Sequence, residues 1–159
     1  SILVEASGHA RNIQLVQALF DPKVFEISTL NLSRAEVLQL LITKVVGKLI
    51  TISKEHSVAA PNKNGFLVCG YGLILGINSW LFGISFDGSV FCAEEERPFM
   101  NSGSGGSEAV GALAVLTETG MPSMSPEEML RKAMYISSGF NPGSVRAPFH
   151  IISTKSEGS

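Results

Sequence analysis

The sequence predicts an α+β domain in which helices are layered against antiparallel sheets. Three observations lead there. Apolar residues recur at helical spacing in two pairs of adjacent segments, and at strand spacing or in short continuous runs around them. Turn-forming residues such as Asp21-Pro22 and Asp87-Gly88 separate the segments. With 45% hydrophobic and 16% charged residues among 159, the chain can bury one sizeable core, so a single domain over 1–159 is expected. The element order reads β-α-α-β-β-β-α-α-β.

Residues 1–8 form the first strand: Ile2-Leu3-Val4-Glu5-Ala6 is short and apolar, and Ser7-Gly8 closes it with a tight turn. Two helices occupy 9–56. In the first, Ile13, Val16, Ala18, Leu19 and Phe20 fall at helical spacing; Asp21-Pro22 ends it, because proline disfavours helical geometry in the residue before it. The second starts at Ser33-Arg34-Ala35-Glu36, a capping box. There the serine hydroxyl accepts from the amide three residues on, and the glutamate reaches back to the serine amide. Val37, Leu38, Leu41, Val45, Leu49 and Ile52 form its apolar stripe, with Arg34, Lys44, Lys48 and Glu55 mostly off it. Pro61-Asn62-Lys63-Asn64-Gly65 then breaks the chain into a loop.

Antiparallel strands fill 66–93, as Phe66 to Tyr71, Trp80 to Phe86 and Ser89 to Ala93, with Asp87-Gly88 as a hairpin turn whose central positions favour positive φ. Two helices then occupy 107–139. The run Asn101-Ser102-Gly103-Ser104-Gly105-Gly106-Ser107-Glu108 leads into the first, Ala109 to Thr117, which Gly120 and Pro122 end. Ser125-Pro126-Glu127-Glu128 is a second capping box, with proline at the first helical position, where its missing amide is harmless. That helix carries Met129, Leu130, Ala133, Met134 and Ile136, and a final strand spans 147–154.

The net charge of −2, with scattered Lys and Arg, offers no basic stripe for phosphates, so nucleic acid is not an expected partner. No window holds the roughly 18 uninterrupted apolar residues of a membrane span, and no basic n-region precedes an apolar h-region. A cytoplasmic protein without membrane contact is expected. Apolar content this high with so little charge calls for partner subunits. Cys69 and Cys92 sit in apolar runs with no second ligand nearby, which predicts buried reduced thiols. His9, His56 and His150 are solitary, Glu94-Glu95-Glu96-Arg97 reads as a solvated loop, and neither a metal site nor a cofactor is indicated.

Several motifs, in this order, resemble the proteasome β subunits and the bacterial HslV peptidase. Ser7-Gly8-His9-Ala10-Arg11-Asn12-Ile13-Gln14 is similar to the small-residue turn opening that family's first long helix. Val68-Cys69-Gly70-Tyr71, Trp80-Leu81-Phe82 and Phe86-Asp87-Gly88-Ser89-Val90 resemble its central strands and hairpin. Gly103-Ser104-Gly105-Gly106-Ser107-Glu108-Ala109 is similar to its "GSGxxxA" strand-to-helix turn, and Pro126-Glu127-Glu128-Met129-Leu130-Arg131-Lys132-Ala133 to the acidic-start helix that follows. The resemblance implies a four-layer αββα Ntn-hydrolase sandwich, assembled into rings of like or homologous subunits. In catalytic members it hydrolyses peptide bonds with an N-terminal threonine, helped by a lysine and an aspartate.

By the same resemblance Ile2 to Ala6 corresponds to a later strand, so the sandwich is expected to lack its first strands, with the nucleophile and the lysine. Residues upstream of Ser1, another polypeptide, or a fold trimmed to a structural role would account for that. Ser1 is an N-terminal hydroxyl residue, but no lysine occurs within twenty residues of it, and a processing or cut point is the expected reading. Ser104 matches the serine that orients the nucleophile's amine in active relatives; it reads equally as a loop serine whose glycine neighbours let the backbone enter a helix. Anion capture at the helix N-terminus is a third reading. Ser137-Ser138-Gly139 lies where relatives place a supporting aspartate and serine, without the aspartate, and Tyr71-Gly72 replaces the usual tyrosine-aspartate. The expected function is a subunit of a proteasome-like or HslV-like ring assembly involved in protein breakdown. The alternative is a non-catalytic scaffold that uses the sandwich for assembly alone.

Overall fold

A computed structural model describes residues 2–8, 14, 18, 31–55, 60–61, 67–68, 71–77, 79–85, 87–119 and 124–152, in two compact units, Ser1–Pro98 and Phe99–Ser159. In chain order the elements are β1 (Ile2–Gly8), α1 (residues 34–55), β2 (Ala60–Pro61), β3 (Leu67–Val68), β4 (Tyr71–Ile77), β5 (Trp80–Ile84), β6 (Val90–Cys92), α2 (Gly106–Glu118) and α3 (Pro126–Phe140). Of the helix expected over Ala10–Phe20, only Gln14 and Ala18 are described, and both are helical.

In the first unit Leu73, Leu75 and Ile77 alternate along β4, and the period of two puts them on one face. All three are at most 2% exposed. β4 is central in an antiparallel sheet of order β1-β4-β5-β6, pairing Leu75 with Val4 on one side and with Phe82 on the other. The expected strand Phe66–Tyr71 is corrected here. Its described part is β3, paired with β2 in a separate two-stranded sheet, and the chain re-enters the main sheet at Tyr71. Gly72 and Gly76 lower strand propensity in β4, but pairing on both edges overrides it.

The hairpin from β5 to β6 forms where Asp87-Gly88 predicts it. Ser85 exchanges bonds across the turn: its amide donates to Ser89 O at 2.8 Å, and the Gly88 amide donates to Ser85 O at 2.9 Å. Three positions therefore lie between the closing pair, and Gly88 takes the left-handed conformation, φ 84°, that such a loop requires.

Helix α1 lies on the β4 face. Its capping box forms as the sequence predicts, with the Ser33 hydroxyl accepting from the Glu36 amide and Glu36 accepting from Ser33. Val37, Leu41, Val45 and Leu49 join Leu73, Leu75, Ile77, Phe82 and Ile84 in one core, each burial contributing about 1.5–3 kcal/mol. A spacing of four overshoots a 3.6-residue turn by roughly 40° per step. The π-helical stretch Leu41–Val45 has more residues per turn, which takes up that rotation and keeps the four side chains on the sheet. Arg34 ties the helix start to β6: its Nε donates to Cys92 Sγ at 3.0 Å and its Nη2 to Ala93 O at 2.8 Å. Cys92 is thus half-buried rather than buried, and Cys69 lies outside the described residues. Glu94-Glu95-Glu96-Arg97 is exposed, as expected.

In the second unit α2 packs against α3, and Ala109, Leu116, Ala133 and Ser137 are buried. Both helices begin near their predicted starts, and the capping box Ser125–Glu128 is present with Pro126 in the first turn. α2 starts three residues before Ala109, within the glycine run. Residues 147–152 are irregular where a final strand over 147–154 was expected, and 153–154 lie outside the described residues. Pro148 has no amide to give to a ladder.

Candidate functional site

The turn that opens α2 is built on glycine because two of its positions require it. Gly103 and Gly105 adopt φ of 81° and 79°, the left-handed region that side chains resist, and Gly105 is the N-cap without a side-chain cap. Space is also absent: a Cβ on Gly105 would fall 2.6 Å from both Ser137 Oγ and Val145 Cγ2. The Ser137 hydroxyl, 1% exposed, donates to Gly105 O at 2.6 Å, and the same carbonyl accepts the Ala109 amide at 3.2 Å. A buried hydroxyl on α3 therefore braces the turn that precedes α2.

Asn141 completes the brace at the end of α3. Its carbonyl accepts the amides of Ser144 and Val145, which folds the chain back so that Val145 is buried against Gly105. Its Nδ2 is buried with no hydrogen-bond partner among the described residues. Sequence reasoning singled out Ser137-Ser138-Gly139 only for a missing aspartate. The structure gives the positions separate jobs: Ser137 holds the turn, Ser138 donates to Tyr135 O at 2.6 Å, and Gly139 is exposed with open space around it.

Ser104, held between Gly103 and Gly105, is exposed and stands at a cleft of about 340 Å³. Leu130 and Met134 of α3 and Val145, Arg146, Phe149, His150 and Ile151 are among the residues that line it. Among the described residues neither a lysine nor a carboxylate lines the cleft. Of the other singled-out residues, Ser1, His9 and His56 lie outside the described residues, and His150 is exposed. Among the described residues no group of three or more His, Cys, Asp or Glu could hold a metal ion, and no helix is long and apolar enough to cross a membrane.

A second feature escaped the sequence reading. Residues paired across the sheet share a face, so Leu3, Glu5, Ile74, Leu81 and Phe91 lie on the face opposite α1. The Phe91 ring covers Gly83, where a Cβ would meet it at 2.2 Å. Glu5 is exposed, yet partial desolvation in this apolar setting raises its carboxyl above the usual value. A lone acidic residue inside an apolar strand was the available signal.

Solved structures resemble this chain over most of its length. BPH from Thiobacillus denitrificans superposes with a TM-score of 0.61 at 18% identity, covering 92% of this chain and 71% of that one. The same protein in complex with epoxomicin gives 0.62 at 19%, with the same coverage. Eukaryotic HslV from Trypanosoma brucei gives 0.56 at 18%, over 90% of this chain and 70% of that one. The chain has the HslV-like Ntn-hydrolase fold. No family model and no curated protein matches it in sequence. Within the HslV-like fold this sequence keeps an antiparallel sheet backed by a long capped helix, and a glycine-rich turn entering the first of two packed helices.

Proposed function

We propose that this chain is a subunit of an HslV-like or proteasome-like ring assembly that takes part in protein breakdown, in the cytoplasm and among like or homologous subunits. Its sandwich is read as the four-layer αββα type in one domain, with the nucleophile contributed by another stretch of polypeptide. The glycine-rich turn that holds Ser104 exposed at a cleft, in a chain with this fold, carries the reading. A serine hydroxyl both donates and accepts. There it can orient the amine that takes the proton from a hydroxyl nucleophile. Exposed apolar side chains such as Val115, Tyr135 and Phe140, at 59%, 73% and 73%, support partner subunits.

Labelling tests this. Epoxomicin, which the Thiobacillus protein holds, is added to the assembled protein, and adducts are counted by intact mass. An adduct on a chain with Thr, Ser or Cys at its processed end supports the peptidase. Ser104→Ala then slows labelling on the order of tenfold to a hundredfold, since a misplaced group costs that much. Two observations favour the scaffold reading instead: among the described residues no lysine or carboxylate lines the cleft, and Gly139 stands open after Ser137-Ser138. Intact assemblies that take no label and cleave no peptide establish that reading.

A further inference from the structure

Arg146 is a charged group in the cleft that the proposed function does not use. Its Nε donates to Pro142 O at 2.7 Å, and it forms no ion pair among the described residues. That single bond fixes the plane of the guanidinium and leaves its terminal nitrogens as donors, the geometry that suits a carboxylate. Around it the walls are mostly apolar, from Leu130, Met134, Val145, Phe149 and Ile151, with Ser144 and His150 also in the lining, and among the described residues no Asp or Glu lines the cleft to compete for the cation. A volume of about 340 Å³ falls at the small end of ligand pockets.

We propose that this cleft binds a small carboxylic acid with a branched or aromatic apolar body, about the size of an N-acylated amino acid, with Arg146 holding the carboxylate. The site rests on the cleft at Ser104 and not on the chain being a ring subunit. Because Arg146 is exposed, its ion pair is weak alone. The apolar walls supply most of the affinity and the guanidinium supplies the choice of acid over neutral analogue.

Ligand-observed NMR on the full chain reads this whatever the size of the assembly. N-acetyl-leucine is compared with its neutral isostere N-acetyl-leucinamide. The acid is expected to bind at least about fivefold more tightly. Arg146→Gln, which can still donate to Pro142 O, brings the acid down to the amide's level, and Leu130→Asn weakens both alike. Equal binding of acid and amide to the unaltered chain, binding of neither, or unchanged acid affinity in Arg146→Gln overturns the proposal. A monomeric protein that still selects the acid refutes the ring reading alone; an intact ring that does not select refutes this site alone.

Discussion

Gly105→Ala is the sharpest test of how the turn at Ser104 is held. Alanine in the left-handed region costs about 1–2 kcal/mol. Its Cβ would also stand 2.6 Å from Ser137 Oγ and from Val145 Cγ2, where overpacking costs about 1–3 kcal/mol. A total of roughly 2–5 kcal/mol is expected. Ser137→Ala alone loses one hydrogen bond, but Gly105 O keeps the Ala109 amide at 3.2 Å, so no carbonyl is orphaned and about 1 kcal/mol is lost. Combining the two removes one of the clashes, and the double variant is expected to be more stable than the sum by on the order of 1 kcal/mol. Urea unfolding followed by far-UV circular dichroism measures all three. A Gly105→Ala cost below about 1 kcal/mol, or additivity within roughly 0.3 kcal/mol, refutes the bracing of this turn by Ser137.

Phe82→Ala, at a fully buried position, should cost about 3–5 kcal/mol, read by the fluorescence of Trp80, which packs against the same core. Partial desolvation raises the carboxyl of the exposed Glu5, so its charged form is the destabilising one and the penalty grows as pH rises through the folded value. Glu5→Gln should therefore raise the urea midpoint at pH 7 and change it little at pH 4; a lowered midpoint at pH 7 contradicts this. Glu36 is held below the ordinary carboxylate value by the Ser33 hydroxyl and then its amide, and Glu128 by the Ser125 amide and then its hydroxyl. Their stabilisation is complete above the unfolded value of 4.5 and is lost as pH falls through the lower folded values. Ser33→Ala should show a shallower decline of urea midpoint in acid than the unaltered chain, and an identical decline counts against the cap.

Features set by neighbours in sequence were legible. Both capping boxes, the stripe from Val37 to Ile52, the hairpin at Asp87-Gly88 and the glycine-rich entry to α2 follow from local chemistry, and each stands where it was expected. Features set by pairing across the chain were not. β4 was missed because Gly72 and Gly76 interrupt it, although the alternation of Leu73, Leu75 and Ile77 was there to be read. The π turn in α1 answers to the sheet beneath it, and no local signal announces it. At the candidate site Ser104 was legible from its glycines. Its support from Ser137 and Asn141 was not, since those contacts join residues more than thirty positions apart.

The direct measurement of ring membership is the native mass of the purified protein, with electron micrographs of the same sample. Closed rings of like or homologous subunits, persisting on dilution, are the predicted result. A single chain at every concentration, with Tyr135 and Phe140 left uncovered, would contradict it.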